Sequence, residues 1–219
     1  MARGEGPPRV RLAAIVLAGG RASRLGGVDK PGLVVGTRTL LAAVVSAAVE
    51  AGAGHVVVVG PARPGLGAAA GPSGRVDFVR EDPPGSGPVA ALRAGLAAIS
   101  APAVAVLAAD MPFLAARHLR ALLGAAGLRD GHDAHAGQAP RGAVLLDDSG
   151  RPQWLAGCWP ATVLRGRLAH YDGQSLHGLL DPLQPVRLSY PLAAGEPPPW
   201  LDCDVAGDLS LAREWQRRS

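Results

Sequence analysis

The sequence predicts an α/β fold, a three-layer, Rossmann-like arrangement in which a mostly parallel sheet carries helices on both faces. Short apolar runs rich in β-branched residues alternate along the chain with Ala/Leu-rich segments of helical length. These runs are apolar at consecutive positions, which is typical of parallel strands buried on both faces. The crossover connections between such strands are expected to be right-handed.

The amino-terminal half supplies most of the predicted sheet. Buried strands are predicted at residues 12–17, 55–59, 76–79 and 103–108. Helices are predicted at residues 39–51, 89–99 and 114–126. Loops are predicted at residues 61–74, which are rich in Pro, Gly and Ala, and at the polar, Gly-containing residues 129–140.

The carboxyl-terminal half continues the pattern with fewer elements. Residues 142–146 and 153–158 are predicted as a strand pair around an Asp-Asp-Ser-Gly turn. A helix at 161–171, an edge strand at 186–189 and a closing helix at 206–216 follow. A length of 219 residues suits one domain with a substantial core. We therefore expect a disordered leader at residues 1–10 and a single domain at residues 11–219.

Composition and charge exclude several classes of function. The formal charge of +4 is modest, no dense Lys/Arg run occurs, and aromatic residues make up only 4% of the chain, so nucleic-acid binding has little support. No segment approaches the ~20 apolar residues that a membrane-spanning helix needs. Cys158 and Cys203 show no CxxC spacing, and reduced thiols are the simpler interpretation. We expect a cytoplasmic protein, and a small anionic substrate is compatible with its charge.

A Gly-rich loop follows the first predicted strand, and residues 17–30 read Leu-Ala-Gly-Gly-Arg-Ala-Ser-Arg-Leu-Gly-Gly-Val-Asp-Lys. Loops at the carboxyl ends of parallel strands form the usual ligand crevice of such sheets. Glycines let backbone N–H groups approach phosphate oxygens, and cations such as Lys30, the only lysine of the chain, neutralise their charge. A Walker A loop is disfavoured, because Pro31 follows the lysine and Asp29 precedes it.

An acidic residue, Asp110, ends the apolar run at 103–108. At a strand terminus its carboxylate can project into the same crevice, where Mg²⁺ takes oxygen ligands from one or two carboxylates and from substrate phosphates. The alternative is that Asp110 caps the helix predicted to begin near Leu114.

Residues 85–90 suggest a different class of enzyme. Gly85-x-Gly87-x-x-Ala90 satisfies the relaxed dinucleotide fingerprint, with Asp110 lying ~20 residues beyond, where a ribose-binding acid belongs. Against this, residues 81–84 separate the strand from the first glycine, and Pro88 lacks the N–H that a helix start would offer a pyrophosphate. A dinucleotide-dependent oxidoreductase is therefore the less favoured alternative.

The spacing from Leu17-Ala-Gly-Gly to Arg24 and then to Asp29-Lys30 resembles the signature of the molybdenum cofactor guanylyltransferases, the MobA-like nucleotidyltransferases. The resemblance implies that Leu17, Ala18 and Gly19 lie along the base and ribose. Gly20 belongs to the same implied nucleotide site. Arg24 and Lys30 would face the triphosphate, and with Asp110 they form the implied catalytic set.

The resemblance also assigns roles to acidic positions. Asp110 stands in the family's Asp-x-Pro-[Phe/Tyr] element and would bind both the metal ion and the nucleotide. Asp82 would contact the nucleotide, or it is a plain turn residue. Asp204 would be a second metal ligand, or it caps the last helix.

The sequence departs from the family at several positions. Asp202 and Asp204 replace asparagines, and Val205-Ala206 replaces Thr-Pro. Val59 stands where many relatives carry an asparagine that meets the nucleotide, so the guanine preference is open. Residues 153–159 resemble an element near the acceptor pocket, although Trp154 and Trp159 fit an aromatic core strand equally well.

The resemblance implies transfer of GMP from GTP to the terminal phosphate of molybdopterin, with or without bound molybdenum, and release of pyrophosphate. Mg²⁺ is the implied cofactor. Molybdoenzymes and other cofactor-biosynthesis proteins are compatible partners, whereas nucleic acid and membrane are not expected. Two alternatives stay open: a related transferase that uses CTP or another phosphorylated acceptor, and a non-catalytic carrier of nucleotide or molybdopterin.

Overall fold

The computed structural model describes residues 11–19, 29–128, 141–203 and 210–215. The strands are β1 Leu12–Leu17, β2 Val34–Val35, β3 Arg38–Thr39, β4 Ala53–Val59, β5 Arg75–Val79, β6 Ala103–Ala108, β7 Ala143–Leu146, β8 Pro152–Pro160 and β9 Val186–Leu188. The helices are α1 Leu40–Glu50, α2 Gly67–Ala70, α3 Pro88–Ala97, α4 Ala116–Ala125, α5 Ala161–Ala169 and α6 Leu176–Leu180. Residues 210–215 are also helical.

One seven-stranded sheet forms the centre of the structure, with the strand order β5-β4-β1-β6-β8-β7-β9. β1 pairs in parallel with β4 and β6, and β4 pairs in parallel with β5. β8 is antiparallel to both of its neighbours, and β9 is parallel to β7. The sheet is therefore mostly parallel, as the sequence predicts. A separate antiparallel hairpin pairs β2 with β3.

Helices cover both faces of the sheet. Successive residues of β1 point to opposite faces, and all six are buried. Ala14 and Val16 belong to the apolar cluster that includes α1 and α4 residues. Ile15 and Leu17 belong to a second cluster, which includes residues of α3, α5 and α6. This confirms the predicted three-layer, Rossmann-like fold, and it explains why β1 is apolar at consecutive positions.

Several predicted boundaries hold and others shift. β1 and β6 have the predicted bounds, and β4 begins two residues before the predicted residue 55. The prediction that residues 76–79 are buried on both faces was wrong, because β5 is the edge strand and its residues there are half-buried. Residues 61–74 are not all loop, since they contain α2.

Other differences concern short elements and chain ends. The β2–β3 hairpin and α6 were not predicted, and α5 ends two residues before residue 171. The predicted leader, the loop at 129–140 and residues 206–209 and 216 of the predicted closing helix lie outside the described residues. Within the described ranges, no helix combines the length and apolar character that crossing a membrane requires.

Gly95 marks the closest packing of α3 on the sheet. A Cβ at this position would lie 2.5 Å from Ile15 Cγ2 and 3.0 Å from Val59 Cγ2, and both of those side chains are fully buried. Alanine is favoured over glycine inside a helix by about 1 kcal/mol. Overpacking a core costs about 1–3 kcal/mol. We therefore expect Gly95→Ala to lower the free energy of unfolding by roughly 1 kcal/mol, measured by urea denaturation.

Gly166 in α5 offers a matched control. A Cβ at this position would meet nothing within 4 Å. Gly166→Ala should therefore show only the helix-propensity gain, up to about 1 kcal/mol. Equal stability gains in the two variants would contradict the close contact between α3 and β1.

Candidate active site

The carboxyl end of β1 lies at a topological switch point. From β1 the chain moves outward to β4 and β5, and it then returns across β1 to β6. In open α/β sheets, ligands bind in the crevice outside the carboxyl ends of the strands at such a point. The residues that follow β1 and its neighbours β4 and β6 are therefore the first candidates for a site.

Backbone hydrogen bonds extend the sheet one step beyond β1. The Ala18 N–H donates to Val59 O at 2.9 Å, and the Ala109 N–H donates to Leu17 O at 3.1 Å. Leu17 and Ala18 are 8% and 6% exposed, whereas Gly19 is exposed. Leu17 and Ala18 therefore belong to the packed end of the sheet, and Gly19 is the first residue after β1 that is exposed to solvent.

An ion pair joins the two residues that the sequence singles out most clearly. Lys30 Nζ donates to Asp110 Oδ2 across 80 residues of sequence. Their side chains are 15% and 21% exposed, so both are mostly buried but remain accessible from the crevice. Asp110 does not cap α4, because the N-cap of that helix is Ala115. The structure thus brings a cation from the loop after β1 to a carboxylate at the end of β6.

A second ion pair involves the residue before Lys30. Both terminal nitrogens of the Arg63 guanidinium donate to the carboxylate of Asp29. These hydrogen bonds hold the pKa of Asp29 below its ordinary value and raise the pKa of Arg63. Arg63 follows β4, so consecutive residues 29 and 30 are tied to chain segments on opposite sides of β1.

A third carboxylate lies beside Gly19. A Cβ on Gly19 would be 3.8 Å from Glu81 Oε1, and the same oxygen accepts a hydrogen bond from the Gly85 N–H at 2.9 Å. Glu81 is half-buried, whereas the neighbouring Asp82 is exposed. Of these two neighbouring acids, Glu81 is therefore the one that lies beside Gly19.

Comparison with known proteins identifies the family. Residues 14–187 match the MobA-like NTP transferase domain. The chain belongs to this family. Two curated relatives are molybdenum cofactor guanylyltransferases. The one from Acidiphilium cryptum (strain JF-5) is 29% identical over 214 residues, 94% of this chain and 96% of the relative. The one from Bradyrhizobium sp. (strain ORS 278) is 30% identical over 210 residues, 92% of this chain and 91% of the relative.

Solved structures agree with this assignment. A nucleotidyl transferase from Methanothermobacter thermautotroptrophicus superposes with a TM-score of 0.67 and 25% sequence identity, over 95% of this chain and 99% of that one. The chain is an enzyme of the nucleotidyltransferase class. The family excludes the oxidoreductase alternative. The crevice beside β1 is the candidate nucleotide-binding site of this enzyme.

Not every predicted site residue of this MobA-like enzyme can be placed. Gly20, Arg24 and Asp204 lie outside the described residues, so their predicted roles stay predictions. Val59, which stands where many relatives carry an asparagine, has a fully buried side chain in the cluster that includes α3 residues. Its carbonyl, rather than its side chain, meets the loop after β1.

The two tryptophans of β8 differ in their surroundings. Trp159 is fully buried and belongs to the core. Trp154 is half-buried, and its ring centroid lies 5.6 Å from that of His177. The core interpretation therefore holds for Trp159, and only Trp154 is accessible from solvent.

Sequence reasoning missed two charged residues of the site. Arg63 lies in the Pro/Gly/Ala loop after β4, and Glu81 directly precedes the predicted Asp82. Glu81 had a sequence signal, since it is the first acid after β5, whereas nothing in the sequence around Arg63 distinguishes it from the other arginines.

Members of this family generally use a divalent metal ion, and the chemistry of the site fits one. Asp110 supplies a hard carboxylate oxygen at the crevice. Among the described residues, no group of three or more His, Cys, Asp or Glu side chains could hold a metal ion. Mg²⁺ usually takes one or two carboxylates and completes its shell with substrate phosphates and water, and Asp110 can supply one such carboxylate.

Proposed function

We propose that this enzyme transfers GMP from GTP to the terminal phosphate of molybdopterin, with or without bound molybdenum, and releases pyrophosphate. The observation that carries the proposal is the Lys30–Asp110 ion pair at the crevice between the ends of β1 and β6. In support of the proposal, an ammonium that could bind phosphate oxygens lies beside a carboxylate that could bind a metal ion. The curated relatives in Acidiphilium and Bradyrhizobium support the choice of GTP and molybdopterin.

The chain's own residues have to position and neutralise phosphates in this reaction. An oxygen of the acceptor's terminal phosphate attacks the α-phosphorus of GTP in line. The new P–O bond forms as the bond to the bridging oxygen breaks, and its electron pair leaves with pyrophosphate. Lys30 exchanges Asp110 for a phosphate oxygen and stabilises the charge that develops there. No protein nucleophile is needed, because the reaction depends on positioning and electrostatics.

We propose Mg²⁺ as the metal, with Asp110 as its protein ligand in the described part of the chain and Asp204 as a further candidate. When bound, the ion supplies charge neutralisation at the triphosphate. Arg24 is proposed to face the same phosphates.

We propose that Glu81 accepts hydrogen bonds from the donor base. A guanine edge presents N–H donors that a carboxylate can accept, and Glu81 lies beside Gly19. A hydrogen bond to a charged group is worth about 1.5–3 kcal/mol. Glu81→Gln is therefore expected to lower kcat/KM for GTP by about 10-fold or more. Asp82→Asn is the matched comparison in the same segment. A larger loss in Asp82→Asn would favour Asp82, as the sequence predicts, as the acid that contacts the nucleotide.

The test of the proposed function is pyrophosphate release from GTP, CTP and ATP with Mg²⁺, in the presence and absence of molybdopterin. Release that requires both GTP and molybdopterin is the expected result. A preference for CTP would move the enzyme to a cytidylyl-transfer reaction. Nucleotide binding without release would support the non-catalytic carrier or a different acceptor.

We propose that residues 11–219 form a single nucleotidyltransferase domain. In support, Ala212 of the helical segment 210–215 packs with Val35, Leu40 and Cys203, so the carboxyl-terminal segment contacts the amino-terminal half. A cytoplasmic location is proposed, because GTP is a cytoplasmic metabolite.

A further inference from the structure

We propose that Arg63 is a positioning residue for nucleotidyl transfer: through Asp29 it holds the backbone that carries Lys30 in the crevice. The inference rests on the proposed role of Lys30 in nucleotidyl transfer. It does not depend on the identity of the base or of the acceptor.

Two consecutive residues in the loop after β1, Asp29 and Lys30, contact the segments that follow β4 and β6. Asp29 is bound by Arg63, which lies in the segment after β4. Lys30 is bound to Asp110, which lies in the segment after β6. β4 and β6 flank β1 in the sheet. Residues 29 and 30 are therefore anchored to both neighbours of β1, and the anchor on the β4 side is Arg63.

The contact between Arg63 and Asp29 is better defined than an ordinary surface ion pair. The Arg63 side chain is 19% exposed although that of Asp29 is 61% exposed, so packing holds the arginine in place. Two parallel N–H···O bonds fix the orientation as well as the distance of the carboxylate. A Cβ at Gly32 would clash with Asp29 Oδ2 and lie 3.2 Å from Arg63 Nη1, so the glycine leaves room for both partners of the ion pair.

Substrate binding affects the Lys30–Asp110 and Asp29–Arg63 ion pairs differently. Lys30 must leave Asp110 to reach a phosphate oxygen, so its contact on the β6 side is lost during the reaction. The Asp29–Arg63 contact involves neither group and can persist. It then keeps the Lys30 backbone in place while the side chain turns. A misplacement of about 1 Å can cost about 10²-fold in rate.

The first test is steady-state kinetics of Arg63→Ala and Asp29→Asn, after pyrophosphate release by the wild-type enzyme has been established. We expect kcat to fall about 10- to 100-fold in both variants, with a much smaller change in KM for the nucleotide. The double variant should be no slower than the worse single one, because both changes remove the same contact. Arg63→Lys should recover little of the kcat that Arg63→Ala loses, since an ammonium cannot donate two parallel hydrogen bonds to the carboxylate.

Arg75→Ala is the matched control. Arg75 pairs with Asp77 within the edge strand β5, and its side chain is 71% exposed. Surface ion pairs of this kind contribute little to stability, so kcat and stability should stay near the wild-type values.

A second readout does not depend on turnover. Lys30 is the only lysine, so an amine-reactive acylating reagent can modify only this side chain and the amino terminus. Mass spectrometry then gives the rate at which Lys30 is acylated. We expect this rate to rise several-fold in Arg63→Ala and Asp29→Asn, and not in Arg75→Ala. If the proposed function fails, this measurement still reports whether Arg63 holds the Lys30 segment.

Three results would overturn the proposal. The first is unchanged acylation of Lys30 in both variants. The second is a kcat within about twofold of wild type, since a surface ion pair would behave in this way. The third is additive losses in the double variant, with a large rise in KM for Arg63→Ala alone, because Arg63 would then bind substrate directly.

Discussion

Replacing Lys30 with alanine is expected to lower kcat/KM for nucleotidyl transfer about 10²- to 10³-fold, the usual effect of removing one charge-stabilising group from an active site. Lys30 is the only lysine of the chain and lies 15% exposed at the crevice, paired with Asp110. The loss should appear in kcat more than in KM, because the charge on the phosphates grows as pyrophosphate leaves. The rate of pyrophosphate release at a saturating concentration of the acceptor measures this loss of kcat.

The fold should tolerate this substitution. Asp110 loses this partner but remains accessible from the crevice, so the thermal midpoint of Lys30→Ala should fall far less than its activity. Lys30→Arg is the informative companion, because it keeps the charge but replaces a compact ammonium with a planar fork. We expect it to recover only part of the lost activity. Turnover of Lys30→Ala at the wild-type rate would defeat the proposed role of the Gly-rich loop.

The central strands could be predicted from sequence because burial leaves a local signature. β1 and β6 are buried at every position, and both are apolar throughout. β5 has apolar residues as well, but it has a neighbour on one side only, and a run of five residues does not reveal which strand lies at the edge. The two-residue strands of the β2–β3 hairpin are too short for any periodicity.

Individual residues of the site could be predicted from the sequence, but the ion pairs between them could not. Lys30 lies in the loop after one predicted strand and Asp110 lies just after another, so their placement at one edge of a parallel sheet follows from topology. Their ion pair joins residues 80 positions apart, and only the strand order brings them together. Arg63 carries no local signal in a chain in which every Lys/Arg residue except Lys30 is an arginine. Its partner Asp29 identifies it only once β4 is placed beside β1.

Asp110→Asn is expected to reduce kcat/KM about 10²- to 10³-fold as well, and to raise the concentration of Mg²⁺ that gives half-maximal activity. Asparagine keeps the shape of the side chain, and the backbone carbonyl still accepts the hydrogen bond from Cys203 N–H at 3.2 Å. The change therefore removes a charge and a metal ligand without removing packing. Titration of Mg²⁺ in the pyrophosphate assay measures both effects.

The double variant Lys30→Ala/Asp110→Asn separates two roles for this carboxylate. If Asp110 did no more than hold Lys30, its replacement would add nothing once the lysine is gone, and the double variant would match Lys30→Ala. If Asp110 also binds the metal ion, the double variant loses a second contribution and should be slower than either single variant. We expect the slower result, because the two groups part when substrate binds: the ammonium goes to phosphate oxygens and the carboxylate to the cation. Their contact in the free enzyme then keeps opposite charges neutralised until the substrate replaces each partner.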